Sequence, residues 1–123
     1  MYLVTETADR TTTTAAATMV GLAAPSQGSA ELSTWRVELA PGAESPVHAI
    51  TREQVWMPVD GVIEFDVDGA VERVGAGQAY IVPAGRVRRF RAESGARAFV
   101  AMAAGGTASV PGSDAAVPLP WAE

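Results

Sequence analysis

The chain of 123 residues has no cysteine, a single histidine, and nine basic residues that are all arginine. Without thiols there is neither a disulfide framework nor a thiolate metal site, and thiol usage says nothing of redox compartment. No apolar run approaches the roughly 20 residues of a membrane span. Met1 to Arg10 also lacks the basic-then-apolar pattern of a signal peptide, so a cytoplasmic location is the default expectation. The 9 basic residues face 14 acidic ones, and a net charge of −5 with a pI near 4.8 opposes attraction to phosphate backbones or anionic membranes. The four arginines between Arg86 and Arg91 are interleaved with one aromatic, Phe90, which is too little for a stacking platform. Neither nucleic acid nor membrane is expected as a partner. Arginine without lysine, beside abundant alanine, glycine and valine, reads as codon bias and carries no chemistry.

What is present is a short-strand pattern. The length suits one domain, residues 1–123, with a single core. Residues 11–23 read as a weak strand. Trp35, Val37 and Leu39 alternate with polar residues and share one face of a half-buried strand. Another strand is expected over Gln54–Val59, closed by a hairpin at Asp60-Gly61, and a third carries Ile63, Phe65 and Val67 up to the tight turn Asp68-Gly69. Further strands are read over Ala79–Val82, Arg86–Ala92 and Ala96–Ala103, with Arg88 and Phe90 opposite Val87, Arg89 and Arg91. No helical period stands out. The pattern is that of an all-β, antiparallel sandwich or barrel with a core over about residues 11–104, followed from Gly105 by a proline-rich tail. The tail is expected to pack Trp121 against the barrel.

Two segments resemble the paired motifs of the cupin superfamily. Gly42, His48, Gln54 and Gly61 fall on the spacing of the first motif, with Ile50 where the family has its second histidine and Gln54 where it has a glutamate. Gly77, Pro83 and Gly85 fall on the second, with Arg88 in place of its histidine. The two motifs cover residues 42–92, and the tail ending Pro118-Leu119-Pro120-Trp121 is similar to the ends of small bacterial cupins. The resemblance implies a cupin-type double-stranded β-helix, or jelly-roll barrel. It also implies a homodimer, since many members of this size are dimers.

In the family, three histidines and the glutamate converge on one divalent metal. Here His48 is the one strong ligand left, because an amide oxygen is a poor ligand, isoleucine offers none and a guanidinium repels a cation. Glu44 and Glu53 are the only substitute carboxylates nearby. Neither metal nor cofactor is expected. The resemblance places His48, Gln54 and Arg88 at the barrel interior, His48 as acid or base and Arg88 stabilising negative charge, with Ile50, Trp35, Trp56, Phe65, Phe90 and Met102 as pocket walls or plain core. The expectation is a metal-independent barrel that binds a small organic anion through Arg88 and, if catalytic, carries out isomerisation, cyclisation or elimination. A non-enzymatic binding or sensor module and a metal-dependent, dioxygenase-like cupin are the alternatives.

Overall fold

The computed structural model describes residues 1–123. In chain order the strands are β1 (Thr11–Thr13), β2 (Thr18–Gly21), β3 (Leu32–Leu39), β4 (Ala43–Glu44), β5 (Ala49–Ile50), β6 (Gln54–Val67), β7 (Ala70–Gly75), β8 (Tyr80–Val82), β9 (Arg88–Ala92), β10 (Ala96–Ala103), β11 (Thr107–Ser109) and β12 (Val117–Pro118). Single 3-10 turns lie at Ala8–Arg10, Pro25–Gln27 and Pro120–Ala122. All strand pairs are antiparallel. The main sheet runs β1-β2-β3-β10-β6-β9-β4 with β7 and β8 also on β6, and a small sheet β12-β11-β5 lies apart from it. This curled arrangement is a jelly-roll barrel. No helix is long and apolar enough to cross a membrane.

Two stretches differ from the sequence reading, each for a local reason. Residues 11–23 form a hairpin, with Thr13 opposite Thr18. The Thr14 hydroxyl accepts the amides of Ala16 and Ala17 at 3.2 Å each and turns the chain there, a local bond that competes with strand extension. At Asp60-Gly61 the chain does not reverse. β6 continues, and its register against β10 shifts so that Arg97 faces Asp60 while Ala98 faces Pro58. That leaves Val59 as the extra residue of a β-bulge. Gly61 has φ +75°, and a Cβ there would strike the carbonyl oxygen of Gly95, so only glycine fits. The second expected turn does form: Asp68 (φ 51°) and Gly69 (φ 86°) close a two-residue hairpin between β6 and β7.

The bulge decides which side chains reach the interior. Before it, Gln54, Trp56 and Pro58 are buried and the strand pairs with β8 and β10; after it, Ile63 and Phe65 are buried and the strand pairs with β7 and β9. One added residue flips the inward parity from even to odd positions while the strand passes from one wall to the other. The expected face of β3 is buried, with Trp35, Val37 and Leu39 all in the core, as are Arg88 and Phe90 of β9.

The C-terminal segment is built into the barrel. β11 pairs with β5 and β12, Leu119 and Ala122 are buried, and Trp121 packs half-buried against the core. The Ser33 hydroxyl donates to the Ala122 carbonyl at 2.5 Å, and Ser26 donates to the Glu123 carbonyl at 2.6 Å. Deleting residues 118–123 exposes apolar surface around Leu119, worth about 1.5–3 kcal/mol, and strands the buried Ser33 hydroxyl. The melting temperature should fall by at least about 5 °C. An unchanged melting curve would mean that the segment is loosely attached in solution.

Candidate functional site

The barrel encloses a cavity of about 360 Å3. Its inner wall is carried by Trp35 and Val37 of β3, Ile50 of β5, Gln54 and Trp56 of β6, and Phe90 of β9. The outer wall comes from the N-terminal hairpin, through Met19, and from the C-terminal segment, through Ala108, Leu119 and Trp121. No aspartate, glutamate or arginine lines it; His48 is its one titratable group.

His48 is tied by backbone bonds in both directions to Arg88, its amide to the Arg88 carbonyl at 3.0 Å and the return bond at 2.8 Å. Its ring meets Phe90 edge-on, with centroids 5.9 Å apart. Nδ1 lies 2.7 Å from the Pro46 carbonyl, which can only accept, so Nδ1 carries the proton and Nε2 presents its lone pair. Nε2 has no hydrogen-bond partner in the protein. The single buried, unbonded side-chain nitrogen or oxygen is Arg36 Nη1, so Nε2 is solvent-accessible, and His48 lines the cavity. Burial holds the His48 pKa below 6.5, aided by the Arg88 charge and opposed by the bond to Pro46, and the imidazole is neutral at pH 7.

Gln54 is buried, 3% exposed. Its Oε1 accepts two donors, Trp56 Nε1 and Arg88 Nη1, each at 3.2 Å, while its Nε2 reaches only the sulfur of Met102 at 3.7 Å. Ser45 braces the loop beside His48: its buried hydroxyl donates to the Pro46 carbonyl at 3.0 Å and accepts the Phe90 amide at 2.9 Å.

Arg88 points inward and is 1% exposed, but its guanidinium does not border the cavity. Nε donates to the Arg86 carbonyl at 3.1 Å, Nη2 to the Pro83 carbonyl at 3.1 Å, and Nη1 to Gln54. The expected anion facing Arg88 is thus replaced by three neutral oxygens, two of them backbone carbonyls of the turn before β9, which sequence alone does not reveal. Desolvation lowers the Arg88 pKa to about 10, opposed by Asp68, and it remains charged at neutral pH.

Of the other expected wall residues, Trp35, Ile50, Trp56 and Phe90 line the cavity. Phe65 and Met102 do not. Phe65 is wholly buried behind the wall, 5.3 Å from Trp56 and 4.7 Å from Tyr80 between ring centroids, and Met102 lies under Gln54. Met19, Val37, Leu119 and Trp121 escaped the sequence reading as wall residues; alternation marked Val37 as buried, and the tail's apolar residues marked Trp121, but neither cue distinguishes core from cavity.

A divalent metal does not suit these donors. The four positions of the motifs hold His48, Ile50, Gln54 and Arg88, and no group of three His, Cys, Asp or Glu side chains comes together anywhere in the chain. Glu44 is exposed and paired with Arg89 at 3.1 Å, and Glu53 is exposed.

Comparison with known proteins places this geometry. A family model described as a cupin domain matches residues 35–104. No curated protein matches the sequence. Among solved structures, an RmlC-like cupin from Shewanella frigidimarina superposes with a TM-score of 0.66 at 22% identity, over 79% of this chain and 86% of that one. The polyketide cyclase RemF from Streptomyces resistomycificus gives 0.65 at 22% identity, over 72% and 65%. Salicylate 1,2-dioxygenase from Pseudoaminobacter salicylatoxidans gives 0.71 at 16% identity, over 83% of this chain but only 31% of that one. Such identities speak for the fold alone. With the family model spanning more than half of the chain, and with its strands closed into a jelly-roll barrel, this protein belongs to the cupin superfamily.

Proposed function

We propose that the barrel binds a small organic molecule in its interior and, without a metal, moves a proton on it, in a reaction of the isomerisation, cyclisation or elimination class. The observation that carries this reading is the neutral imidazole of His48, with Nε2 free of protein partners, on the wall of a cavity lined mainly by apolar groups. A neutral imidazole is an effective base toward an acidic C–H or O–H. Negative charge left on a ligand oxygen would then lie near the Gln54 amide, with the Arg88 charge behind it. The ligand contact is the amide, not the guanidinium, since three protein oxygens already hold the latter. Proton transfer of this kind suits a fold shared with a polyketide cyclase. The alternative, binding without chemistry, draws support from His48 being the one titratable group on the cavity wall.

Exchange of α-hydrogens of tetralone for solvent deuterium tests the two against each other. Catalysis predicts exchange that falls about a hundredfold or more in His48→Gln. In the parent protein exchange should also decline as pH drops through the His48 pKa, which lies below 6.5, because protonation removes the base. Exchange that is equal in the variant, or no faster than in buffer, leaves a binding module. Metal independence is checked by elemental analysis, which should find less than roughly one-fifth of an equivalent of any transition metal in the purified protein. A stoichiometric metal that survives mild chelation would revive a dioxygenase-like reading.

A second copy of the chain is the partner we propose for the outer face of the main sheet. There Phe99 pairs with Met57 and Val55 with Ile81, and Met57, Val59, Ile81 and Phe99 are between 38% and 59% exposed. Such an apolar stripe fits a homodimer interface. Light scattering should give twice the 12.7 kDa chain mass, reduced to the monomer by Phe99→Glu. A monomeric parent would exclude it.

A further inference from the structure

Resting on the reading of the cavity as a ligand site, the hydrogen bonds around Gln54 narrow the ligand further. We infer that Arg88 and Trp56 act together as positioning residues which lock the Gln54 amide so that the N–H not directed at the Met102 sulfur is available to a ligand in the cavity, and that the site takes a flat, uncharged aromatic or polycyclic molecule bearing a carbonyl oxygen.

A primary amide carries one acceptor and two donors, and its orientation follows from its neighbours. An indole N–H and a guanidinium have nothing but donors to offer. Both lie 3.2 Å from the same atom of Gln54, so that atom is the oxygen. Turning the amide over would bring its hydrogens against two donors and forfeit both bonds, one of them charge-assisted. The amide nitrogen is then left with the Met102 sulfur at 3.7 Å, a weak acceptor for one of its two hydrogens. A buried donor so poorly matched gains from a carbonyl oxygen delivered by a ligand. Arg88 does not line the cavity, and its hydrogen bond toward the cavity wall is the one to this amide.

The remaining wall defines the body of the ligand. Trp35, Trp56, Phe90 and Trp121 are aromatic, and Ile50 and Leu119 fill the spaces between them. Such surfaces favour flat apolar rings. A carboxylate or phosphate would enter with no cation on the wall to meet it, and so would lose its hydration without return. Gln54 and His48 therefore read a ligand in complementary ways: a carbonyl oxygen meets the Gln54 donor, and an acidic hydrogen meets the lone pair of His48 Nε2.

The test uses acetylnaphthalene, its isosteric hydrocarbon isopropenylnaphthalene, and naphthoate, with binding read by calorimetry in the presence of a chelator. The parent should prefer the ketone over the hydrocarbon by roughly three- to tenfold, and naphthoate should bind weakest. Gln54→Glu keeps an oxygen for Arg88 and Trp56 but removes the N–H groups; it should abolish the preference for the ketone while retaining hydrocarbon binding. Arg88→Met frees the amide and should bring the ratio close to one. Trp56→Phe, which retains the charge and most of the ring, should reduce the ratio by a smaller factor and serves if Arg88→Met does not fold. The ratio distinguishes positioning from general damage, since a loosened barrel would weaken both probes alike. If Gln54→Glu leaves the preference intact, the amide is not the donor. An unchanged ratio in Arg88→Met, or in Trp56→Phe where that serves, means the amide is not positioned by these two residues. Tightest binding by naphthoate overturns the inference in favour of an anion site. Should none of the three bind, the cavity is not a ligand site of this kind, and the underlying reading falls with the inference.

Discussion

A full positive charge sits inside this barrel with no carboxylate bonded to it. Burying a guanidinium is costly unless its hydrogens find acceptors, and Arg88 finds them in the Pro83 and Arg86 carbonyls and in the Gln54 amide. Each of those bonds constrains something else. The two carbonyls hold the turn that leads into β9, the amide is set in one orientation, and the charge helps to keep the His48 imidazole neutral. Arg88 is thus a fixed cation behind the cavity wall, acting on it through the Gln54 amide and through its charge on His48.

That arrangement needs Gln54 and Trp56 on the cavity side of β6 and Phe65 behind it. The bulge near Gly61 supplies this division by changing the inward parity halfway along a single strand. A two-residue hairpin at the same place would have sent the two halves along adjacent positions of one wall. The continuous strand instead serves both walls, so Trp56 and Phe65 meet edge-on across the core at 5.3 Å, and Trp56 also touches Phe90 at 4.9 Å.

The two ends of the chain cover part of the cavity. The N-terminal hairpin and the segment from β11 onward meet over it, and the approach is close: a Cβ on Gly21 would come within 2.9 Å of the Trp121 carbonyl oxygen. Access for a ligand is therefore governed by elements that contribute little to the two motif strands. The inner wall carries His48 and Gln54, and the covering segments add Met19, Leu119 and Trp121 with the hydroxyls of Thr14, Ser109 and Ser113.

Alternation and turn chemistry, which are local properties, were sufficient for the all-β class, for the buried faces of β3 and β9, and for the hairpin at Asp68-Gly69. Motif spacing was sufficient to bring Arg88 beside His48 and Gln54, because the motif turns fix where their strands meet. The tertiary structure decided the rest. At Asp60-Gly61 a bulged, continuous strand replaced the hairpin, and the carbonyl of Gly95, just before β10 and distant in sequence, packs against the glycine. Residues 11–23 folded back because the Thr14 hydroxyl captured two amides. The closing segment took shape only against Ser33, Gly21 and β5. Above all, inward direction is a local matter and satisfaction is not: strand parity turns Arg88 toward the interior, but whether its charge meets a ligand or the protein's own carbonyls depends on where a separate turn, Pro83 to Arg86, comes to rest.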